Sequence, residues 1–245
     1  MQNKEVISLS ADVSDHSKRI HNKGMRREAL PRIRHPEPPR VLAGDCAVNV
    51  SLRLASPVIR LLDGLLSAQE CDDLIAQAVP RLQRSVVIAN SGRTQVDRGR
   101  TSESVCFETG ETALIQRLEE RIAALLRVPV HHGEPLQVTR YLAGQQYQAH
   151  YDWFDPDNAG YEAMTMRGGQ RVASLVMYLN TPEMGGGTNF PNIGLTFTPI
   201  RGSALYFAYK AGEQASWHAG MPVLKGEKWI ATKWLRERSL DASGN

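Results

Sequence analysis

The alternation of apolar and polar residues in the C-terminal half of the chain is the feature that most constrains its fold. After Pro135 the hydrophobic pattern has a period of two, and clusters of Gly, Pro and Asn interrupt it. This period places alternate side chains on opposite faces of an extended strand. Many short strands late in the chain indicate a sandwich, jelly roll or barrel. The segments with this pattern are 136–144, 171–180, 194–200, 202–209 and 228–235.

Two helices are predicted before these strands. Ser67 and Glu70 form a capping-box pattern ahead of an apolar run, which predicts a helix over residues 68–82. A second helix is predicted over residues 111–126, with Thr109 as its N-cap, because its apolar residues lie on one helical stripe. We expect both helices to buttress a sheet, which makes the fold class mainly β, with α+β character.

One folded domain is expected over residues 48–238, flanked by an N-terminal arm of residues 1–47 and a short polar tail of residues 239–245. Residues 1–45 contain nine Lys and Arg against six Asp and Glu, and this difference accounts for the whole net charge of +3. The arm is polar, basic and proline-containing, so it has too little apolar surface to fold alone, and we expect it to be flexible. The balanced charge of the remainder argues against a nucleic-acid groove.

The three cysteines, Cys46, Cys71 and Cys106, are odd in number and have no metal-binding spacing. A disulfide framework is therefore not expected, and a reducing compartment fits. The N-terminus lacks an apolar signal region, and no run of about 18 apolar residues occurs. We therefore expect a cytoplasmic protein with neither a membrane nor a nucleic-acid partner.

Two residues that can bind a metal, His150 and Asp152, are separated by one residue near the end of a predicted strand. Residues i and i+2 of a strand share a face, so both side chains can point at one ion. A third candidate, His218, lies at another strand end. Two imidazoles and one carboxylate leave three positions of an octahedron open, as a redox iron(II) centre requires. A structural zinc site requires a fourth protein ligand, and the sequence offers none.

A candidate anion-binding residue, Lys228, follows His218 by ten residues. A cosubstrate with an α-keto acid at one end and a carboxylate at the other would chelate iron with the first and require a buried cation for the second. Lys228 can supply that charge. A lysine in a strand is otherwise an exposed edge residue, and this is what we expect of Lys225 and Lys233.

Several sequence blocks, in a fixed order, resemble a known family. Residues 141–152, YLAGQQYQAHYD, match the Y-x-x-G-x-x-Y-x-x-H-x-D pattern of the prolyl 4-hydroxylase branch of the 2-oxoglutarate and iron(II) dioxygenases. The segments GGGTNFP, RGSALYF and HAGMPVLKGEKWIATKW resemble later blocks of that family. The resemblance covers about residues 57–237. We expect a distorted double-stranded β-helix, a jelly roll of two sheets, with the helices packed on the larger sheet.

The resemblance implies roles for individual residues. The implied iron ligands are His150, Asp152 and His218. The implied partners of the distal carboxylate of 2-oxoglutarate are Lys228, Tyr141 and Thr188. The residues implied to face a peptide substrate are Tyr147, Arg171, Trp234 and Arg100. The implied cofactors are Fe(II), 2-oxoglutarate as cosubstrate, O2, and ascorbate as a reductant.

The activity that the resemblance implies is hydroxylation of an unactivated C–H bond, with release of succinate and CO2, and a prolyl residue of a peptide or protein as the leading substrate. Asp152 favours hydroxylation over halogenation, because a halogenase needs a small residue at that position. Other substrates stay open: a free amino acid, a lysyl residue or a small metabolite. So do a non-catalytic jelly-roll binding or sensor module and a cupin-like isomerase or hydrolase.

The chain also departs from the family pattern. Gly187 stands where relatives often have a polar or acidic residue, and Ser174 stands where threonine is usual. Both lie near the predicted site and could alter how a substrate fits. The loop of residues 153–170 is rich in turn residues and long enough to act as a lid. Trp217, next to His218, is expected to form a wall that limits water access.

Overall fold

The structure, a computed structural model, describes residues 38–89 and 92–241. The expectations for the N-terminal arm up to residue 37 and for the last four residues fall outside the described residues. The strands, in chain order, are β1 (Arg40–Ala43), β2 (Cys46–Leu54), β3 (Val58–Asp63), β4 (Gln83–Arg84), β5 (Val86–Ile88), β6 (Thr94–Val96), β7 (Glu103–Phe107), β8 (Leu136–Tyr141), β9 (Tyr147–His150), β10 (Arg171–Tyr178), β11 (Met184–Gly185), β12 (Thr188–Phe190), β13 (Leu195–Phe197), β14 (Ala204–Ala208), β15 (His218–Gly220), β16 (Val223–Lys225) and β17 (Lys228–Arg236).

The helices are α1 (Ala68–Ala78), α2 (Ala113–Leu126) and the short α3 (Tyr161–Thr165). Single 3-10 turns occur at Val79–Arg81, Val130–His132, Pro191–Ile193 and Gln214–Ser216. Among the described residues, no helix is both long and apolar enough to span a bilayer.

The strands form two main sheets. The major sheet has nine strands in the order β1-β2-β3-β14-β10-β17-β8-β7-β4, and the minor sheet has four in the order β13-β12-β15-β9. The ribbons β5-β6 and β11-β16 complete the strand pairing. This arrangement confirms the predicted two-sheet jelly roll.

Two apolar clusters hold the layers together. The first lies between the helices and the major sheet, where Leu74 of α1 and Ile115 of α2 are buried with Leu175 of β10. The second contains apolar residues of both sheets, such as Tyr178 of β10 and Phe190 of β12. The helices therefore buttress the major sheet, as predicted, and its other face packs against the minor sheet.

The first helix begins where the sequence predicts and ends earlier. Ser67 accepts a hydrogen bond from the Glu70 backbone, and the Glu70 side chain accepts one from the Ser67 backbone, which confirms the capping box. The α-helix ends at Ala78, and a 3-10 turn containing Pro80 follows. Proline has no N–H to donate to a preceding carbonyl, so it favours this end.

The predicted N-cap of the second helix, Thr109, is wrong. Thr112 is the cap, and its hydroxyl accepts a hydrogen bond from the Ile115 backbone N–H at 3.2 Å. Gly110, with φ of +67°, turns the chain between Thr109 and the helix. Both threonines stand ahead of the same apolar stripe, so the pattern alone does not distinguish them.

The first strand lies ahead of the expected domain start at residue 48. β1 pairs with β2 from Arg40 to Ala43, and Ala43 is fully buried. Residues 40–47 therefore belong to an edge hairpin of the major sheet rather than to the arm.

The expectation that Lys233 is exposed is wrong, whereas Lys225 is exposed as predicted. Lys233 of β17 forms an ion pair with Glu119 of α2 at 2.5 Å, and their side chains are only 2% and 1% exposed. Gly133 makes room for this lysine, since a Cβ at Gly133 would lie 2.3 Å from Lys233 Cε. Lys225 pairs with Glu183 at the surface.

Replacing Lys233 with Met is expected to destabilise the fold by about 3–5 kcal/mol, because it leaves the Glu119 carboxylate buried without its partner. The matched control, Lys225→Met, breaks an exposed pair and is expected to cost less than about 1 kcal/mol. Urea unfolding followed by circular dichroism measures both. Equal losses for the two variants would contradict the assignment of Lys233 as a buried partner.

Candidate metal centre

The pairing of β9 with β15 brings two histidines together. His150, the last residue of β9, lies directly opposite His218, the first residue of β15. Asp152 follows two residues after His150, just beyond the strand. One cross-strand pair and one short step along the chain therefore assemble all three predicted ligands.

The three side chains form a group of the size that one metal ion needs. One candidate ligand atom from each of His150, Asp152 and His218 lies within 4.8 Å of the others. His150 Nε2 is 3.5 Å from Asp152 Oδ1, and His218 Nε2 is 3.7 Å from Asp152 Oδ2. Asp152 and His218 are buried, while His150 is partly exposed. The structure thus brings together the ligand set that the sequence predicts.

Backbone carbonyls orient both imidazoles. His150 Nδ1 lies 2.8 Å from the Gln148 carbonyl oxygen, and His218 Nδ1 lies 2.9 Å from that of Ser216. A carbonyl oxygen only accepts, so Nδ1 must carry the proton in each ring. The Nε2 lone pairs are then free to bind a metal.

The charges of the site favour an ionised carboxylate and a neutral His218. Burial opposes the charged form of Asp152, but His218, His150 and Arg171 outweigh it and hold the pKa of this carboxyl well below its usual range. Burial and the nearby His150 lower the pKa of His218 to about 4, against the opposing effect of Asp152. A carboxylate and a neutral imidazole are the forms that coordinate metals.

Two hydroxyl groups form a chain of hydrogen bonds that ends at the Asp152 carboxylate. Ser174 of β10 donates a hydrogen bond from Oγ to Asp152 Oδ2. The Tyr209 hydroxyl lies 3.0 Å from Ser174 Oγ. Ser174, one of the two departures from the family pattern, thus contacts a predicted metal ligand directly. The sequence carries no signal for Tyr209.

Lys228 is a buried cation without an anionic partner among the described residues. It begins β17, is 2% exposed, and lies opposite Tyr141 of β8 in the sheet. Its Nζ is 5.5 Å from the ring centroid of Tyr141 and 5.9 Å from that of Tyr178. Burial lowers the pKa of Lys228 to about 7. Buried charges are normally paired, so this lysine fits the end of an anionic ligand.

Thr188 and Tyr178 stand on the same side of the site as Lys228. The Tyr178 hydroxyl donates to Thr188 Oγ1 at 2.8 Å, and both residues are buried. Sequence reasoning singled out Thr188 and Tyr141 but missed Tyr178, which lies in an apolar strand and has no motif of its own. Gly187, which stands where relatives often have a polar or acidic residue, has a steric reason to lack a side chain, because a Cβ there would lie 2.8 Å from Thr196 Cγ2.

Tyr147 and Arg100 form a stack on His150. The ring of Tyr147 is 3.6 Å from that of His150, with a 20° angle between them, and the Arg100 guanidinium is 5.0 Å from the Tyr147 ring centroid. Arg100 also donates to the Val86 carbonyl at 3.1 Å and to Gln137 at 2.5 Å. It therefore joins the β5-β6 ribbon to the major sheet beside the candidate ligand.

Arg171 and Trp234 form a second group next to Asp152. The Arg171 guanidinium is 4.3 Å from the Trp234 ring centroid and contacts the Asp152 carbonyl oxygen at 3.4 Å. Glu134 accepts two hydrogen bonds from Arg171, at 2.7 and 2.6 Å, and another from Arg236 at 3.0 Å. Glu134, which the sequence did not indicate, fixes the position of Arg171.

The loop of residues 153–170 is held through its main chain. Its ends are joined by Gln170, whose side chain donates to and accepts from the Phe154 backbone at 2.7 Å. Arg236 donates to the carbonyl oxygens of Met164 and Arg167 at 2.6 and 2.7 Å. The loop is thus anchored to the end of β17, and a lid role stays a prediction.

Trp217 belongs to an aromatic cluster next to the ligands. Its ring centroid is 4.6 Å from that of Tyr151, which in turn is 4.6 Å from that of Trp153. All three side chains are half-buried. This cluster is consistent with the predicted wall beside His218.

The donor set suits Fe(II). Two neutral imidazoles and one carboxylate are the ligands of a facial triad with open positions, and a fourth protein ligand of a closed zinc site does not occur in the ligand group found among the described residues. The unpaired Lys228 fits a second, anionic ligand of that metal. The residues present therefore fit both an iron ion and a chelating dicarboxylate.

Known proteins are similar to this chain in sequence. The family model of the 2OG-Fe(II) oxygenase superfamily matches residues 136–236. The chain is 36% identical over 194 residues to probable prolyl 4-hydroxylase 3 of Arabidopsis thaliana, covering 69% of this chain and 66% of the relative. It is 38% identical over 206 residues to prolyl 4-hydroxylase 1 of the same plant, covering 75% of this chain and 70% of the relative.

A solved structure supports the same likeness. The chain is similar to the viral collagen prolyl hydroxylase of Paramecium Bursaria Chlorella virus-1, solved as a 2OG complex, with 32% sequence identity and a TM-score of 0.58. The match covers 73% of this chain and 95% of the viral chain.

Replacing His218 with Ala is expected to weaken Mn(II) binding by at least about 100-fold, because losing even a residue that supports a ligand typically costs 10- to 100-fold. Mn(II) replaces Fe(II) here because it resists oxidation, and the electron paramagnetic resonance signal of free Mn(II) measures its binding. The control is His132→Ala, which alters a histidine of the Val130–His132 turn outside the ligand group. A comparable loss for His132→Ala would contradict the assignment.

Proposed function

Since this chain belongs to the prolyl 4-hydroxylase branch of the 2OG-Fe(II) oxygenase superfamily, we propose that it hydroxylates prolyl residues of a peptide or protein. It is an Fe(II)- and 2-oxoglutarate-dependent dioxygenase. The observation that carries the proposal is the His150, Asp152 and His218 group at the minor sheet, together with the buried Lys228 of the major sheet, which has no anionic partner among the described residues.

Iron and 2-oxoglutarate, when bound, supply the oxidising chemistry that inserts one oxygen atom of O2 into a C–H bond and yields succinate and CO2. The chain supplies placement and a dry environment. His150, Asp152 and His218 would hold the metal. Lys228 would neutralise the distal carboxylate of 2-oxoglutarate, with Tyr141 and Thr188 as hydrogen-bonding partners.

The substrate side of the proposal involves Arg100, Tyr147, Arg171 and Trp234. Tyr147 stacks on His150, and Arg171 contacts the backbone of Asp152. These contacts support a location next to the reacting centre. A prolyl ring is apolar and suits a surface that contains the aromatic side chains of Tyr147 and Trp234. Because Glu134 already holds Arg171, we propose that Arg171 presents a fixed surface to the peptide rather than a mobile one.

The prolyl substrate is also supported by the names of the relatives, which include plant prolyl 4-hydroxylases and a viral collagen prolyl hydroxylase. The intact ligand group and Lys228 disfavour a non-catalytic binding module. Ascorbate as a reductant and a cytoplasmic location stay predictions.

The enzyme is expected to hydroxylate proline-containing peptides. Anaerobic protein with Fe(II) and 2-oxoglutarate should develop a weak visible charge-transfer band. Exposure to air with a proline-rich peptide should then add one oxygen atom to a prolyl residue, detected by mass spectrometry. Matched peptides with Ala or Lys in place of Pro serve as controls.

Each negative result has a separate meaning. If no band forms, the assignment of the cosubstrate is contradicted. A band without any oxidised proline peptide, or with oxidation of the Lys peptide instead, would keep the enzyme class and overturn the prolyl assignment.

Binding of 2-oxoglutarate is expected to weaken as the pH rises above about 7. Burial lowers the pKa of Lys228 from 10.5 to about 7, so the ammonium of the free enzyme loses its proton above that pH. A bound carboxylate favours the charged form, so binding then requires proton uptake. The dissociation constant should rise by up to about tenfold per pH unit. Calorimetric titration of the Mn(II) enzyme measures it.

Lys228→Arg is the control for this pH dependence. Arginine stays charged throughout this range, so the variant is expected to show a flat profile between about pH 7 and 9, whatever its absolute affinity. A flat profile for the wild-type enzyme would contradict the assignment of Lys228, with its lowered pKa, as the cation that binds the carboxylate.

A further inference from the structure

Tyr209 is a buried residue that no role described so far uses. It follows β14, its backbone N–H donates to the Val172 carbonyl at 3.0 Å, and it is 1% exposed. Its hydroxyl lies 3.0 Å from Ser174 Oγ, and Ser174 in turn contacts Asp152 Oδ2. Three side chains from separate parts of the chain therefore form a continuous hydrogen-bonded row that ends at a metal ligand.

The number of hydrogens fixes the direction of this row. An ionised carboxylate only accepts, so Ser174 must give its single hydroxyl hydrogen to Asp152. The hydrogen between Ser174 and Tyr209 must then come from Tyr209. Donation from Tyr209 polarises the Ser174 hydroxyl and strengthens the bond that it donates to Asp152.

We infer that Tyr209 is a positioning residue that, acting through Ser174, fixes the Asp152 carboxylate in the orientation required for metal binding. The inference rests on the proposed function, since it requires that the site binds a divalent metal. A serine hydroxyl rotates freely about its Cβ–Oγ bond. With Tyr209 donating to its lone pair, the Ser174 hydrogen is held toward Oδ2, which leaves Oδ1 for the metal.

Neighbouring groups do not replace this role. Arg171 reaches the main-chain oxygen of Asp152, and two of its nitrogens are committed to Glu134. A direct contact of Tyr209 with substrate is also disfavoured, because Tyr209 is almost fully buried and belongs to the apolar cluster shared by both sheets. Its effect must therefore pass through Ser174.

The test is a double-mutant cycle on Mn(II) affinity. Ser174→Ala is expected to raise the Mn(II) dissociation constant by roughly 10-fold or more, as for other residues that support a ligand. Tyr209→Phe should raise it by roughly 3- to 10-fold, the size of one hydrogen bond. In the Ser174→Ala background, Tyr209→Phe should have no further effect on Mn(II) affinity, because the hydroxyl that links Tyr209 to Asp152 is absent.

Tyr206→Phe is the matched control, since it removes a buried hydroxyl from β14 on the face that packs in the other apolar cluster. It is expected to leave Mn(II) affinity unchanged. Near-ultraviolet circular dichroism of the metal-free variants confirms that each is folded, which is expected because Phe retains the tyrosine ring.

Two outcomes overturn the inference. One is an unchanged Mn(II) affinity in Tyr209→Phe, and the other is an equal effect of Tyr209→Phe with and without Ser174. If the wild-type protein itself does not bind Mn(II), the proposed function fails instead. The wild-type measurement therefore separates the two failures.

Discussion

The antiparallel pairing of β9 with β15 is the interaction on which the rest of the site depends. It places His150 opposite His218 and fixes the strand end from which Asp152 extends. A slip of one residue would turn every side chain of β9 to the other face of the minor sheet, and the ligand group would be lost. The apolar cluster shared by both sheets, with Phe190 and Phe207 against His218, holds this register.

The two buried charged groups of the site, Asp152 and Lys228, differ in the partners that surround them. Asp152 has its stabilising partners within the protein, in two histidines, Ser174 and Arg171. Lys228 is equally buried and has no anionic partner in the described part of the chain. Desolvation of an unpaired charge costs free energy, and a dicarboxylate that binds there removes part of that cost. The protein itself therefore supplies partners for the charge of Asp152, whereas the surroundings of Lys228 are complementary to an anionic ligand.

Much of this arrangement follows from the sequence, because it depends on local patterns. The strand periods, the capping box at Ser67 and the spacing of His150 and Asp152 all lie within short segments. The structure confirms the strands and the capping box, and it brings His150 and Asp152 together. Lys228 and Lys233 occupy the same strand, and only the distant Glu119 explains why the second is buried. Glu134, Tyr178 and Tyr209 act through partners many residues away. Such pairings leave no periodic signal in one sequence, so they could not be predicted.

The anchoring of the loop of residues 153–170 determines which of its positions can vary in sequence. Arg236 at the end of β17 and Arg238 just beyond it donate hydrogen bonds to carbonyl oxygens of this loop, and every residue type has a backbone carbonyl. Exposed positions such as Met166 can therefore change identity while the path of the loop is conserved. The backbone path of this loop therefore does not depend on the identity of its exposed side chains. This makes the segment suitable for exchanging sequences between related enzymes.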